Sequence, residues 1–331
     1  MNVAIVKLSA LGDVVHALPV AAALRQGFPG GHLTWIVEDR EAALLRGHPG
    51  IDEVAVADTR GWRRLAGARA GAQTARAVGA LLRQFRQRGF DVALDLQGNL
   101  KSGMVTAATG AAVRIGFAAR RCREPLNALF TNRRVEPPAT ARHIVEQQLA
   151  LLGPLGVAPA QATFWLPRDH AAEAAIERAL RDYGLQGGEA VVALNPGAGR
   201  EAKRWPPPRF AELARRLRAH TGATVLVLWG PAELDRAQAI ARDSGALLAP
   251  PTDLPALLAL LRRTRVMVAG DTGPLHLAAA LGVACVGLYG PTDPARNGPY
   301  GGGHRVVRGV DGAMASVSVE PVFSAVAELL D

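Results

Sequence analysis

Short apolar runs alternate with stretches of helical period along the chain, the pattern of repeated βα units built around parallel sheets. Val3 to Val6, Leu33 to Val37 and Val92 to Leu96 are apolar along most of their length and predict buried strands. Between the first two, Leu11, Val14, Val15, Leu18, Ala21 and Ala22 recur at helical spacing, so a helix links them. The helical pattern from His143 to Leu152 then stops, and Gly, Pro and Ala cluster from Gly153 to Pro167. This stretch reads as a linker and divides the chain into residues 1–160 and 161–331. Beyond it a helix is expected near Ala171 to Tyr183, then strands at Val191 to Asn195, Thr224 to Trp229, Val266 to Gly270 and Ala284 to Tyr289. Phe210, Leu213, Ala214 and Leu217 give one crossover helix its apolar stripe, with Pro208 just ahead, where a helix tolerates proline. The expected fold class is α/β, two doubly wound Rossmann-like domains with a cleft at the carboxyl ends of their strands, where such sheets bind ligands. The last helix is free to pack back on the first domain.

A length of 331 residues supports this division, because it exceeds what one hydrophobic core usually serves. Aromatic residues are only 5% of the chain, so both cores must be built from Ala, Val and Leu. No apolar run approaches the roughly 18 to 20 residues of a membrane span, and the N-terminus enters a strand without a signal-type segment. Cys122 and Cys285 stand far apart in no metal or disulfide pattern, which suits a reducing cytoplasm. The 38 Lys and Arg against 29 Asp and Glu leave a net charge of +9, which favours nucleic acid, an acidic membrane surface or a phosphorylated substrate. An Arg-rich composition without functional meaning accounts for the surplus equally well.

Candidate chemistry lies just after the strands. Lys7-Leu8-Ser9-Ala10-Leu11-Gly12-Asp13-Val14-Val15-His16 is a small turn opening a helix, which presents backbone N–H groups and a positive dipole end. Asp13 is there either a first-turn carboxylate that stabilises the helix or a base poised over a substrate hydroxyl; His16 reads as a packed or solvated imidazole. In the second half, Asp271-Thr272-Gly273-Pro274-Leu275-His276 directly follows a strand. Thr272 or Gly273 serves as N-cap, Pro274 fits the first turn and Gly282 the stop. The element is either a well-capped βα turn or a site where a diphosphate meets free N–H groups, with His276 reaching a phosphate or sugar oxygen.

Pro196-Gly197-Ala198-Gly199-Arg200-Glu201-Ala202 imitates a dinucleotide fingerprint, but Pro206, Pro207 and Pro208 intervene before any helix starts. The loop reads better as an anion clamp, Lys203 acting as a point charge and Arg200 and Arg204 either assisting or solvated. Glu233 follows another strand, as a ribose contact or a first-turn carboxylate. Asp95 to Ser102, Arg120, Arg121 and Arg123, and Trp62, Arg63 and Arg64 suit an acidic acceptor if clustered, and are ordinary surface charge otherwise.

Together, Lys7 to His16, Asp95 to Ser102, Arg123-Glu124-Pro125-Leu126, Lys203-Arg204-Trp205-Pro206, Asp271 to His276, Gly290-Pro291-Thr292-Asp293-Pro294 and the tail Met314 to Glu320 resemble lipopolysaccharide heptosyltransferases of glycosyltransferase family nine. The resemblance implies the GT-B fold, two Rossmann-like domains facing across a cleft, with ADP-heptose bound by the C-terminal half and a Kdo–lipid A acceptor by the N-terminal half. It implies an inverting transfer in one displacement. Carried over by position, Asp13 is the base, Lys203 with Asp271, Thr272, Gly273 and His276 the diphosphate clamp, and Glu233 the ribose contact. Ala198 and Gly199 stand where the family member that adds the first heptose has hydroxyl residues, so a donor contact there passes through backbone or is lost. Ser9, Gly12, Arg63, Arg64, Gln97, Lys101, Arg120 and Arg123 fall to the acceptor. Trp62 to Arg64 and Arg123 make the first-heptose member the closer match.

The partners implied are ADP-heptose, Kdo–lipid A and a peripheral contact with the inner membrane surface, on the cytoplasmic side and without nucleic acid. No cofactor is visible, and a diphosphate can recruit its own divalent ion. The alternatives are a GT-B enzyme with another sugar nucleotide or acceptor, including addition of a second heptose, and a non-catalytic basic binding module. A nicotinamide oxidoreductase is disfavoured by the proline run.

Overall fold

β1 (Asn2–Val6) is buried along nearly all of its length, as a strand is only in a sheet covered on both faces. In this computed structural model, which describes residues 1–57, 79, 83–158 and 161–331, β1 pairs in parallel with β2 (His32–Val37) and β4 (Val92–Asp95). With β3 (Glu53–Val56), β5 (Val113–Phe117) and β6 (Arg133–Val135) they form a six-stranded sheet of order β3-β2-β1-β4-β5-β6. β7 (Val191–Asn195), β8 (Thr224–Val227), β9 (Leu247–Leu248), β10 (Val266–Gly270), β11 (Ala284–Tyr289) and β12 (Arg305–Arg308) form a second sheet, β12-β11-β10-β7-β8-β9. Read from its other edge, that order repeats the first, so each sheet has a switch point where the chain direction across it reverses: β1 beside β4, and β7 beside β10.

The two compact units are Met1–Pro167 and Arg168–Asp331, so the division falls at the end of the Gly- and Pro-rich stretch rather than at 160. The helices are α1 (Leu11–Gly27), α2 (Asp39–Ala42), α3 (Leu100–Ala108) and α4 (Ile144–Ala150) in the first unit. The second holds α5 (His170–Asp182), α6 (Pro207–Thr221), α7 (Leu234–Ser244), α8 (Leu254–Arg262), α9 (Gly273–Ala280), α10 (Pro294–Asn297) and α11 (Val319–Leu330). α1 packs against α4 and is buried from Val14 to Leu24, which explains its lack of a polar face.

In the second unit Val192, Leu194, Val225, Val227, Val266, Val268, Val286 and Leu288 share a core with Phe210, Leu213 and Leu217 of α6 and Val322 and Val326 of α11. Each such side chain, fully buried, contributes roughly 1.5–3 kcal/mol. The final helix therefore packs on the second unit. Trp205 is sunk in the same core, edge-on to Phe210 at 4.9 Å, and donates its indole N–H to Val317 O at 2.8 Å. This ties the loop before α6 to the segment before α11. Both cysteines are free thiols. Burial pushes the Cys122 thiol, near Asp95, up to about 11, leaving it protonated at neutral pH. Among the described residues, no helix is long and apolar enough to cross a membrane.

Candidate active site

In the second unit, the end of β10, the head of α9 and the loop after β7 meet at the switch point. Asp271 Oδ2 accepts from Lys203 Nζ at 2.6 Å, and Oδ1 accepts from His276 Nε2 at 3.0 Å. Burial pushes this carboxyl up, but hydrogen bonds from His276 and Lys203, with their charge, outweigh burial and bring it down to about 2. Asp271 is thus ionised and holds a lysine whose ammonium keeps partial access to solvent. The approach depends on Gly270, where a Cβ would stand 2.8 Å from Lys203 O.

Thr272 is the N-cap of α9, but its side chain does not cap the helix. Its hydroxyl donates instead to Gly270 O at 3.1 Å and accepts from Asn195 Nδ2 at 3.2 Å. The first-turn amides are therefore left uncapped by Thr272, beside an ammonium group, which is the arrangement that receives a phosphate. Gly282, with φ +79, ends the element as expected.

Ala198 and Gly199 lie in the loop after β7, Ala198 buried with its carbonyl accepting from Arg204 Nε at 3.0 Å, and Gly199 exposed. Glu233, at the N-cap position of α7, accepts from Gly230 N at 3.1 Å. A Cβ on Gly197 would stand 2.2 Å from its carboxylate, so only glycine lets the two loops touch. The expected donor-side residues thus lie on neighbouring loops of one unit, with Asn195 as a member that sequence reasoning missed. Its signal was a polar residue ending an apolar strand.

In the first unit, Asp13 is the third residue of α1, and its Oδ2 accepts from Ala10 N at 3.3 Å. It therefore does serve the helix start, yet half of its side chain stays exposed, with Oδ1 4.0 Å from Lys7 Nζ. Gln97 Oε1 accepts from Leu8 N at 2.7 Å and Ser9 N at 3.4 Å, so the loop after β4 holds the turn that carries Ser9, Gly12 and Asp13. Gln97 is fixed in turn by Asp95, which is fully buried and accepts from Gln97 N, Gly98 N, Ser102 Oγ and Asn127 Nδ2 at 2.7–3.0 Å.

Lys101 opens α3 and pairs with buried Glu38 at the end of β2. Arg120 and Arg121 share Glu136, and Arg123 is exposed in the loop over Gly98. Trp62, Arg63 and Arg64 lie outside the described residues. His16 is buried, its ring edge-on to His143 at 5.2 Å. Lys7 opens the turn singled out in the sequence, whereas Glu38 and Asn127 were not foreseen as parts of this cluster and neither offered a signal. Among the described residues no group of three or more His, Cys, Asp or Glu stands together as a metal site would need.

The model of glycosyltransferase family 9 (heptosyltransferase) matches residues 78–326, three quarters of the chain. The chain belongs to glycosyltransferase family 9. It is 33% identical over 316 residues to lipopolysaccharide heptosyltransferase 1 of Pseudomonas aeruginosa, covering 91% of this chain and 82% of that one. Lipopolysaccharide heptosyltransferase 2 of Escherichia coli is 29% identical over 245 residues, 69% of this chain and 67% of its own. E. coli heptosyltransferase WaaC, solved with ADP, superposes with a TM-score of 0.80 at 29% identity over 99% of this chain and 100% of its own. The family 9 chain is therefore a glycosyltransferase, and its two parallel-sheet units are those of the GT-B heptosyltransferases.

Proposed function

We propose that the chain transfers L-glycero-D-manno-heptose from ADP-heptose to Kdo of a lipid A precursor, with inversion, on the cytoplasmic side of the inner membrane. The observation that carries this is the cluster at α9: Asp271 holds Lys203 and His276 at a helix start whose amides Thr272 does not cap. A sugar-linked diphosphate is the ligand such a start suits, and the WaaC relative has been solved with ADP and with ADP-2-deoxy-2-fluoro heptose.

In the proposed step the acceptor O–H attacks the anomeric carbon and its proton passes to the Asp13 carboxylate. The bond from that carbon to the diphosphate breaks, and the leaving ADP keeps the electron pair. Lys203, His276 and the α9 amides stabilise the charge that gathers there. Glu233 accepts from the ribose hydroxyls, and the Ala198–Gly199 backbone faces the phosphates. Ser9, Gly12, Gln97, Lys101, Arg120 and Arg123 serve the acid groups of the acceptor.

The test is titration with ADP, with NADH as control, on the parent, Lys203→Ala and Asp13→Asn, followed by transfer assays. Micromolar ADP binding lost in the lysine variant and kept in the aspartate variant supports the assignment. A parent that binds no ADP would sink it. The heptosyltransferase 2 likeness favours one second reading, transfer to an acceptor that already carries a heptose. Paired assays on Kdo–lipid A and its heptosylated form separate the two.

A further inference from the structure

Single apolar side chains in water are ordinary, but several together, rimmed by one sign of charge, mark a contact surface. Nine large apolar side chains are exposed among the described residues, and four of them belong to two elements of the first unit that pack together. Leu100 and Met104 sit four apart on α3, and Leu126 and Leu129 three apart on the 3-10 helix Pro125–Phe130, so each pair shares a face of its element. Exposure is 37% at Leu100, 50% at Met104, 59% at Leu126 and 74% at Leu129.

The inward side of the 3-10 helix is already engaged. Asn127 and Ala128 are buried, and Asn127 Nδ2 donates to Asn99 O and Asp95 Oδ2, both at 2.7 Å. Gly103 is the contact point on α3, since a Cβ there would stand 2.5 Å from the Phe130 ring. Leu126 and Leu129 are thus held outward by a fixed junction. The same stretch, residues 118–136, carries Arg120, Arg121, Arg123, Arg133 and Arg134 against Glu124 and Glu136, five minus two or a surplus of three positive charges. Arg120 and Arg121 divide one carboxylate between them, and Arg123, Arg133 and Arg134 are exposed.

We propose that this face docks the first unit on an anionic phospholipid bilayer, Leu126 and Leu129 entering the boundary between headgroups and acyl chains while Arg121, Arg133 and Arg134 rest on lipid phosphates. Leucines that insert and arginines that stay in the headgroup layer are the two components of interfacial binding, and neither alone holds firmly. The purpose of the docking rests on the proposed lipid-linked acceptor; its chemistry does not.

The full chain is sedimented with phosphatidylglycerol-containing vesicles and with neutral phosphatidylcholine vesicles, both free of lipopolysaccharide. The parent binds the anionic vesicles in a salt-sensitive way, and Leu126→Asp with Leu129→Asp lowers that binding about tenfold or more. The double variant keeps the parent's circular dichroism and its turnover on a soluble, deacylated acceptor. Leu129→Trp, which keeps the surface apolar, provides a second measurement: brominated anionic lipid quenches the added indole fluorescence. A parent that ignores anionic vesicles, a double variant that binds like the parent, or an added indole that stays unquenched would each overturn the proposal. Vesicle binding without sugar transfer would refute the proposed activity and leave the docking surface standing; transfer to the soluble acceptor without vesicle binding would do the reverse.

Discussion

Asp95 and Asp271 occupy matching places in two sheets of the same strand order, one as the last residue of β4 and the other just after β10, yet they are put to opposite use. Asp95 gives its oxygens to two backbone amides, Ser102 and Asn127, all within its own neighbourhood and all uncharged. Asp271 gives its oxygens to Lys203 and His276. The first is an internal brace that sets Gln97 and, through it, the turn leading to Asp13. The second holds an ammonium and an imidazole beside a helix start. A carboxylate at a switch point is thus a scaffold or a charge holder according to the donors its surroundings supply.

The largest expected effect tests the product of the brace rather than the brace itself. Asp13→Asn should lower turnover by roughly a thousandfold while ADP affinity stays at the parent's value, since the proposed step loses only its proton acceptor. Steady-state rates beside an ADP titration check this, and a fall in both would break the separation of roles between the units.

Next comes the stability contrast. Asp95→Ala strands Ser102, Asn127 and two amides in a buried place and should cost about 3 kcal/mol in urea denaturation. Asp271→Ala should cost about 2 kcal/mol at most and mainly weaken ADP binding, because Lys203 can turn to water. Equal stability losses would erase the distinction between the two carboxylates.

Acid should reach the units at different pH. In the first, burial depresses the His48 imidazole from 6.5 to about 4, and Gly50 N donates to its Nδ1 at 3.1 Å. Its contribution, up to about 3 kcal/mol, is complete above pH 6.5 and is lost as pH falls towards about 4, because the unfolded chain takes up the proton first. Asp271, depressed from 3.8 to about 2, contributes up to about 2 kcal/mol above pH 3.8 that is lost as pH falls through about 2. His48→Gln should flatten the upper part of the pH–stability curve and Asp271→Asn the lower. The smallest effect is that of Gly197→Ala, which forces the Glu233 carboxylate aside and should cost about 1 kcal/mol in stability or ADP affinity.

The central strands were legible because they are buried on both faces and read as unbroken apolar runs: Val191–Asn195, Val266–Gly270 and Ala284–Tyr289 have the bounds their pattern predicts. Five strands that the pattern did not mark, β3, β5, β6, β9 and β12, are short, flank the centre of their sheets or carry arginines, as in Arg133–Val135 and Arg305–Arg308. A strand with one wet side or only two residues leaves no apolar run to read.

The sequence by itself determined the alternation of βα units, the two-unit division and the turns that carry Asp13 and Asp271, because strand burial, helix capping and proline placement are local constraints. Only the tertiary structure decided what each of those carboxylates touches. Lys203 lies 68 residues from Asp271, and Asn127 lies 32 from Asp95. Pairings over such distances arise from packed strand ends, and the partner's identity fixes whether a buried carboxylate braces neutral donors of the fold or holds a lysine at a helix start.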